Sequence, residues 1–381
     1  MSKKVRILVL GGFLGSGKTT AVIALANRFT EKGYRVAAVT NDHGDINFDT
    51  KTIRSASIEA REISEGCLCC RFNDFLYAAD DILEKTAPDI LLAEPVGTCL
   101  NLPRGVLLPL CRYTRERYET GPLSVLVDPF RLKNLDREFD QSVRYLFEQQ
   151  VAEGDIIVLN KADLLTQTEI EKIQKEIEEK HPTAKTFIVS ALKQEGMDQW
   201  ADHLLATLWD EDLERNRADY EKYRLAESKL GYVDAVLSWK PSEKPDEVAF
   251  ARGIIALLQS RLRECEIPVA HIKIAVASNG RGTRVNWTGS EEAEWHEYKP
   301  EPEWENRLSS TIRVQGDPAQ TGEIFESTVR EIAAIQNSSI EIESLRAFRP
   351  SPPPAAQKPI VTKIGTLDLP QREPRSRESD S

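Results

Sequence analysis

Gly12-Phe13-Leu14-Gly15-Ser16-Gly17-Lys18-Thr19 fits the spacing G-x-x-x-x-G-K-[ST]. Glycines at these steps let consecutive backbone N–H groups turn inward and cradle an anion. The helix that must open at Lys18 adds the positive end of its dipole. Lys18 is then placed to reach the β- and γ-phosphates of a nucleotide. The Thr19 hydroxyl is placed to hold Mg²⁺, and Thr20 completes the turn. A glycine-rich strand–helix turn without ligand is the bland alternative.

Asn160-Lys161-Ala162-Asp163 is a second constellation, at the end of the apolar run Asp155–Leu159. A carboxylate at Asp163 can accept from the N1 and N2 groups of guanine, a donor pair that adenine lacks. Asn160 can bond the purine edge and hold the loop, and the Lys161 stem can lie over the ring. Ser190-Ala191 follows the next apolar run and can complete the base pocket through backbone N–H groups. The competing reading of Asp163 is a helix cap. Together with the phosphate loop the tetrapeptide points to GTP rather than ATP. Glu94 and Gly97, in Glu-Pro-Val-Gly, close a third apolar run. Ligands of open α/β sheets sit at that edge of the strands. Glu94 can hold a Mg²⁺-bound water or position the attacking water, and Gly97 can sense the γ-phosphate. A solvent-facing carboxylate is the alternative for Glu94. Lys18, Thr19 and Glu94 are thus the expected catalytic set. No glutamine occupies an obvious water-positioning place, so slow intrinsic turnover is expected.

The third constellation is Gly66-Cys67-Leu68-Cys69-Cys70, which holds three of the chain's six cysteines. Thiolates are soft ligands that favour late transition metals. Zn²⁺ is the first expectation, with Co²⁺, Ni²⁺ or Fe²⁺ as alternatives. No second Cys-x-x-Cys or Cys/His pair lies nearby to close a structural finger, so an exchange-capable site is expected. Asp42, His43, water or a partner's group can supply the missing ligand. A thiol redox pair and inert packing are the competing readings. Cys99, Cys111 and Cys265 stand apart and are expected to be small core residues.

Elements that position these residues alternate through the first half. Val5–Leu10, Arg35–Thr40, Asp89–Ala93, Leu123–Val127, Asp155–Leu159 and Thr186–Val189 are short apolar runs. Helical periodicity lies between most of them, with Thr166 and Glu169 forming a capping-box signature. Strands buried on both faces and joined by helices imply an α/β fold with a mostly parallel sheet, here a P-loop NTPase. Asp210–Lys229 is dense in charge and reads as an exposed helix bridging two units. Strand signals at 232–239, 270–277, 283–287, 311–314 and 340–345, with helices at 246–263 and 319–335, imply a smaller α+β domain. Residues 351–381 contain PSPPP and few apolar groups and read as disordered. The expected division is therefore 1–210, 211–230, 231–350 and 351–381.

With 50 Lys+Arg against 61 Asp+Glu in 381 residues the formal net charge is −11. Phosphate-backbone binding needs clustered positive charge, so neither nucleic acid nor an anionic membrane is an expected partner. No stretch approaches the ~20 apolar residues of a membrane span. The N-terminal run is too short for a signal peptide, and six cysteines are too few for a disulfide scaffold. A cytoplasmic protein with reduced thiols is expected.

GGFLGSGKTT, GCLCC, the Glu-x-x-Gly strand end and NKAD, in that order, resemble the CobW-type metallochaperone GTPases, relatives of the nickel-inserting chaperones of hydrogenase and urease. The resemblance spans about residues 4 to 210. It implies a GTP-hydrolysing protein that binds a divalent metal through Cys67, Cys69 and Cys70 and couples nucleotide state to metal handling. Release of the metal to a client metalloprotein on hydrolysis is the expected mechanism, and a homodimer is a further expected partner. Asn41-Asp42-His43-Gly44-Asp45 is similar to the family's Asn-Glu-Phe-Gly-Glu switch segment, with both acids one methylene shorter and an imidazole in place of the ring. The five histidines are dispersed, which disfavours a metal reservoir. A regulatory GTPase with structural thiols and a chaperone for a cobalamin-dependent enzyme are the rival functions.

Overall fold

The computed structural model describes residues 4–41, 48–63, 67–211, 218–241, 246–290, 292–300 and 304–350. Expectations for Asp42, His43, Asp45, Gly66 and residues 351–381 lie outside the described residues.

Eight parallel strands form the first sheet: β1 (Val5–Gly12), β2 (Val36–Asn41), β3 (Glu59–Ile63), β4 (Ile90–Glu94), β5 (Tyr118–Thr120), β6 (Ser124–Val127), β7 (Ile156–Leu159) and β8 (Lys185–Ile188). Their order is β3-β2-β4-β1-β6-β7-β8, with β5 pairing the first residues of β1. The connecting helices are α1 (Lys18–Glu31), α2 (Phe48–Ser55), α3 (Phe72–Thr86), α4 (Leu108–Tyr113), α5 (Pro129–Glu138), α6 (Gln141–Glu153), α7 (Gln167–Lys180) and α8 (Met197–Ala206). β1 is apolar from Ile7 to Leu10 because both its faces are covered there. Ile7 and Val9 pack in one core with Phe13, Phe75 and Leu146. Leu8 and Leu10 pack in the other with Val22, Leu25 and Trp200. Because every strand runs the same way, all carboxyl ends meet at one edge. The phosphate loop, Glu94, Asn160 and Ser190 gather there. β3 and β5 were not expected from the sequence. β3 reads Glu-Ala-Arg-Glu-Ile and is an edge strand whose charges suit exposure rather than a buried run.

Helix α9 (Tyr220–Lys229) follows, and it corrects the expectation of an exposed bridge. Tyr223, Ala226 and Glu227 are buried, and Tyr223 and Ala226 belong to the same core as β1 and α3. Apart from Glu227, the charged residues of the helix (Glu221, Lys222, Arg224 and Lys229) are exposed on its outer face.

The second sheet is antiparallel, with order β12-β11-β10-β13-β9-β14. It comprises β9 (Leu230–Pro241), β10 (Val269–Ser278), β11 (Arg281–Trp287), β12 (Glu294–Tyr298), β13 (Arg307–Gln315) and β14 (Ser338–Phe348). β12, Glu-Trp-His-Glu-Tyr, also escaped the sequence reading. Helices α10 (Glu247–Glu264) and α11 (Pro318–Ile335) cover one face. Trp239 stacks on Phe250 there, with ring centroids 4.5 Å apart and 3° between planes. Alternation then decides the other face. Ile272, Ile274, Val285, Trp287 and Ile312 point to the helices. His271, Lys273, Arg284, Asn286, Thr288, Thr311 and Arg313 point away and line a cavity shared with the phosphate loop.

Buried Arg131 of α5 joins the two sheets. Its Nη2 donates to the carbonyls of Val269 (3.1 Å), Ala270 (3.0 Å) and Thr288 (2.6 Å), while Nη1 pairs with Glu138.

Candidate functional site

The loop from β1 to α1 turns on Gly12, Gly15 and Gly17, with φ of 137°, 79° and 87°. These left-handed values admit glycine and aim the N–H groups inward. A Cβ at Gly15 would lie 2.2 Å from Thr288 Cγ2, so the second sheet rests directly on this loop. Lys18 is buried and its Nζ donates to the carbonyls of Gly12 (3.0 Å) and Phe13 (3.3 Å), across the mouth of the loop. Thr19 Oγ1 donates to Glu94 Oε1 at 2.9 Å. A hydroxyl and a carboxylate so paired are hard oxygen donors, the set that suits Mg²⁺. Thr20 and Gly97 line the same cavity, whose volume is about 300 Å³. Ser16 is buried within the loop.

Of the sequence motif at 160–163, Lys161 lines the same cavity, and Asn160 and Asp163 line the recess beside it. Asn160 holds two loops together: Nδ2 donates to the Ser16 carbonyl (2.9 Å), and the Ala191 N–H donates to Oδ1 (3.0 Å). Lys161 takes a left-handed φ of 58° and pairs with Asp128 (3.0 Å) and Glu294 of β12 (2.8 Å). Burial alone would lower its ammonium, but the two carboxylates outweigh that and hold it above its ordinary value. Asp163 and Ser190 line an adjoining recess with Asn160 and Gly17. Asp163 starts no α-helix; it sits in a short 3-10 turn, Ala162–Leu164.

The far wall is basic. Burial, then Lys273, Lys161, Lys18 and Arg313, hold the His271 imidazole well below its ordinary range. Burial is the larger cause, but the four neighbouring cations that add to it concentrate positive charge on this wall, which favours a polyanion. His271, Lys273, Arg284 and Arg313 were missed from the sequence, because no local motif carries them. The available signal was period-2 alternation: His271-x-Lys273, Arg284-x-Asn286-x-Thr288 and Thr311-x-Arg313 each place polar groups on one face.

The thiols gather at the start of α3. Cys67 Sγ lies 2.9 Å from Cys69 Sγ and 3.0 Å from Cys70 Sγ, and Cys69 and Cys70 are 3.7 Å apart. The N–H groups of Cys70 and Arg71 donate to the Cys67 carbonyl, which folds the box into a turn. A Cβ on Gly105 would lie 2.7 Å from Cys69 Cβ, so only glycine permits that packing. Cys99 is buried in the core as expected, but it does not stand apart. Its Sγ is 3.5 Å from Cys69 Sγ, and Cys67, Cys69 and Cys99 form a group able to hold a metal ion. Cys265 is exposed rather than in the core, and Cys111 is half-buried. Donation from Cys69, Cys70 and Cys99 pulls Cys67 well below the ordinary thiol range. Cys69, Cys70 and Cys99 are pushed up, Cys69 and Cys70 first by their contacts with Cys67, and Cys99 likewise.

The chain is similar to known proteins over its first half. The family model "CobW/HypB/UreG, nucleotide-binding domain" matches residues 6–188. A zinc chaperone CobW of Sinorhizobium sp is 27% identical over 212 residues, covering 49% of this chain and 58% of the relative. A zinc-regulated GTPase metalloprotein activator 1 of Dictyostelium discoideum is 28% identical over 224 residues, covering 48% of this chain and 45% of the relative. The chain spans about half the length of the curated relatives it matches. HypB from Helicobacter pylori, solved in complex with nickel, aligns at 20% identity and a TM-score of 0.40, over 54% of this chain and 87% of that one. No described helix is long and apolar enough to cross a membrane.

Proposed function

We propose, for a chain whose residues 6–188 make up a nucleotide-binding domain of the CobW/HypB/UreG family, a GTP-hydrolysing metallochaperone. It binds a divalent transition metal at its cysteine cluster and hands it to a client metalloprotein according to nucleotide state. One observation carries the reading: a convergent thiol cluster and a phosphate-binding pocket share a single buried loop, residues 94–99.

In this reading the backbone of Gly12–Thr20 and Lys18 hold the phosphates. Asp163 selects guanine, and Lys161, fixed by Asp128 and Glu294, supports the base. Asn160 keeps the base loop in register with the phosphate loop. Thr19 and Glu94 are the residues that would hold Mg²⁺, which neutralises phosphate charge when bound. Glu94 orients the attacking water, and Lys273 and Arg284 face the phosphates from the second sheet. Zn²⁺ is the cargo we favour, because the relatives are named for zinc and thiolates select soft, late metals. The functional division we propose is a G domain to residue 210, followed by an α+β unit whose sheet closes the nucleotide pocket. Free thiols suit a reducing, cytoplasmic compartment, and a homodimer is a partner to be tested.

Equilibrium dialysis of zinc, with GTP and ATP competition in parallel, tests the reading. One zinc per chain, lost in the Cys67/Cys69/Cys70→Ser triple variant, and a preference for GTP of about 100-fold from two charge-assisted hydrogen bonds are expected. Unchanged zinc in the triple variant refutes the metal reading, and equal ATP affinity refutes the base assignment.

A further inference from the structure

We propose that Cys99 is a fourth metal-binding thiolate, and that it makes metal affinity depend on the nucleotide-facing loop that carries it. The inference rests on the metallochaperone reading above and adds a ligand that the Cys-x-Cys-Cys box does not contain.

Geometry is the first support. Zinc bound tetrahedrally by sulfur at about 2.3 Å requires sulfur–sulfur separations of roughly 3.8 Å. Cys99–Cys69 and Cys69–Cys70 stand at 3.5 and 3.7 Å. The Cys67 contacts at 2.9 and 3.0 Å must spread outward, and Cys70, which stands outside the Cys67–Cys69–Cys99 group whose sulfurs all lie within 4.8 Å of one another, must swing in toward Cys99. On binding, each protonated thiol gives its proton to solvent as its sulfur–metal bond forms, so one M²⁺ exchanges for the thiol protons. No oxidant or reductant is involved.

Placement is the second. Cys99 lies two residues beyond Gly97 and five beyond Glu94, whose carboxylate accepts from Thr19 of the phosphate loop. The intervening chain has no slack. Residues 94–100 are buried, and the Cys99 N–H donates to the Val96 carbonyl at 3.0 Å. Gln150 Nε2 donates to the carbonyls of Gly97 (2.9 Å) and Cys99 (3.2 Å) and clamps both to α6. Thr98 Oγ1 donates to Glu227 of α9 at 2.8 Å. A displacement of Gly97 therefore moves Cys99, because a packed loop shifts as a unit. A closed four-sulfur site holds metal, while a three-sulfur site keeps an open position for exchange. Withdrawing Cys99 is then the step that makes the cargo available.

X-ray absorption on the zinc-loaded full chain reads the ligand set without any substitution. Four sulfurs at about 2.3 Å are expected, and three sulfurs with an oxygen or nitrogen neighbour overturn the proposal. Zinc dissociation constants of Cys99→Ala and Cys99→Ser, taken with a chromophoric chelator, should rise about tenfold or more. The wild-type constant should differ at least about fivefold between the GTP-analogue and GDP forms, and Cys99→Ala should abolish that difference. An unchanged constant, or a nucleotide effect that persists in Cys99→Ala, overturns the proposal. If Cys67→Ser weakens zinc and Cys99→Ala does not, the added ligand fails while the metallochaperone reading stands. If neither variant matters, the metallochaperone reading fails too.

Discussion

The nucleotide pocket and the thiol cluster are built on opposite principles. The pocket's near wall is backbone: one contiguous loop, bent by glycines, presents N–H groups to an anion, and a single lysine spans it. The cluster is side chain alone, four sulfurs drawn from two loops some thirty residues apart. A backbone nest tolerates changes in its surroundings, because its donors are fixed by the fold of the loop itself. A thiol cluster has no such reserve, since every ligand depends on where a separate loop is held. In the proposed reading the switch lies at the thiols: the phosphate loop can stay rigid while a displacement of residues 95–99, which run from the pocket to Cys99, rearranges the metal end.

The largest effect expected on this comparison is at Lys18. Lys18→Ala should weaken GTP about a thousandfold, through loss of charge-assisted bonds to two phosphates, with zinc stoichiometry retained. Joint loss of both ligands would mean that the two ends are one folding unit rather than two sites. Asp163→Ala should cost GTP about 100-fold while ATP is unmoved, read by displacement of a fluorescent nucleotide. A parallel loss for ATP would remove Asp163 from base recognition.

Glu153 probes the connection between the two ends. It accepts from the N–H groups of Asn101 and Leu102, just past Cys99, and burial raises its carboxyl to about 7 from the ordinary 4.5. The folded chain therefore holds an extra proton between those values, and the stability Glu153 contributes falls as pH rises through that window. Glu153→Gln does not titrate, so its stability relative to wild type should grow by about 3 kcal/mol from pH 4.5 to 7. Denaturant curves at the two pH values check this, and parallel behaviour of the two proteins would contradict it. The smallest effect is expected at the far wall. Arg284→Ala should reduce GTP affinity about tenfold more than GDP affinity. Equal losses would make the second sheet a cover rather than a phosphate reader.

Legibility in the sequence followed the same divide. Features set by neighbours in the chain were readable. Gly12–Thr19 bends where its glycines fall, the apolar runs became the central strands, and Thr166 and Glu169 form the capping box that opens α7. Features set by distant packing were not readable. Cys99 looked solitary because its companions lie in another loop. The Asp210–Lys229 charge hid the inner face of α9, where Tyr223 and Glu227 are buried. β3 and β12 are interrupted by charged and polar residues and so lacked an apolar run. His271, Lys273 and Arg284 come together only through the register of β10 and β11.

The central claim is that nucleotide and metal share one equilibrium through residues 94–99. The zinc dissociation constant of the wild-type chain, measured once with a non-hydrolysable GTP analogue and Mg²⁺ and once with GDP, tests it most directly. A difference of at least about fivefold is the predicted result, and equal constants would contradict the account.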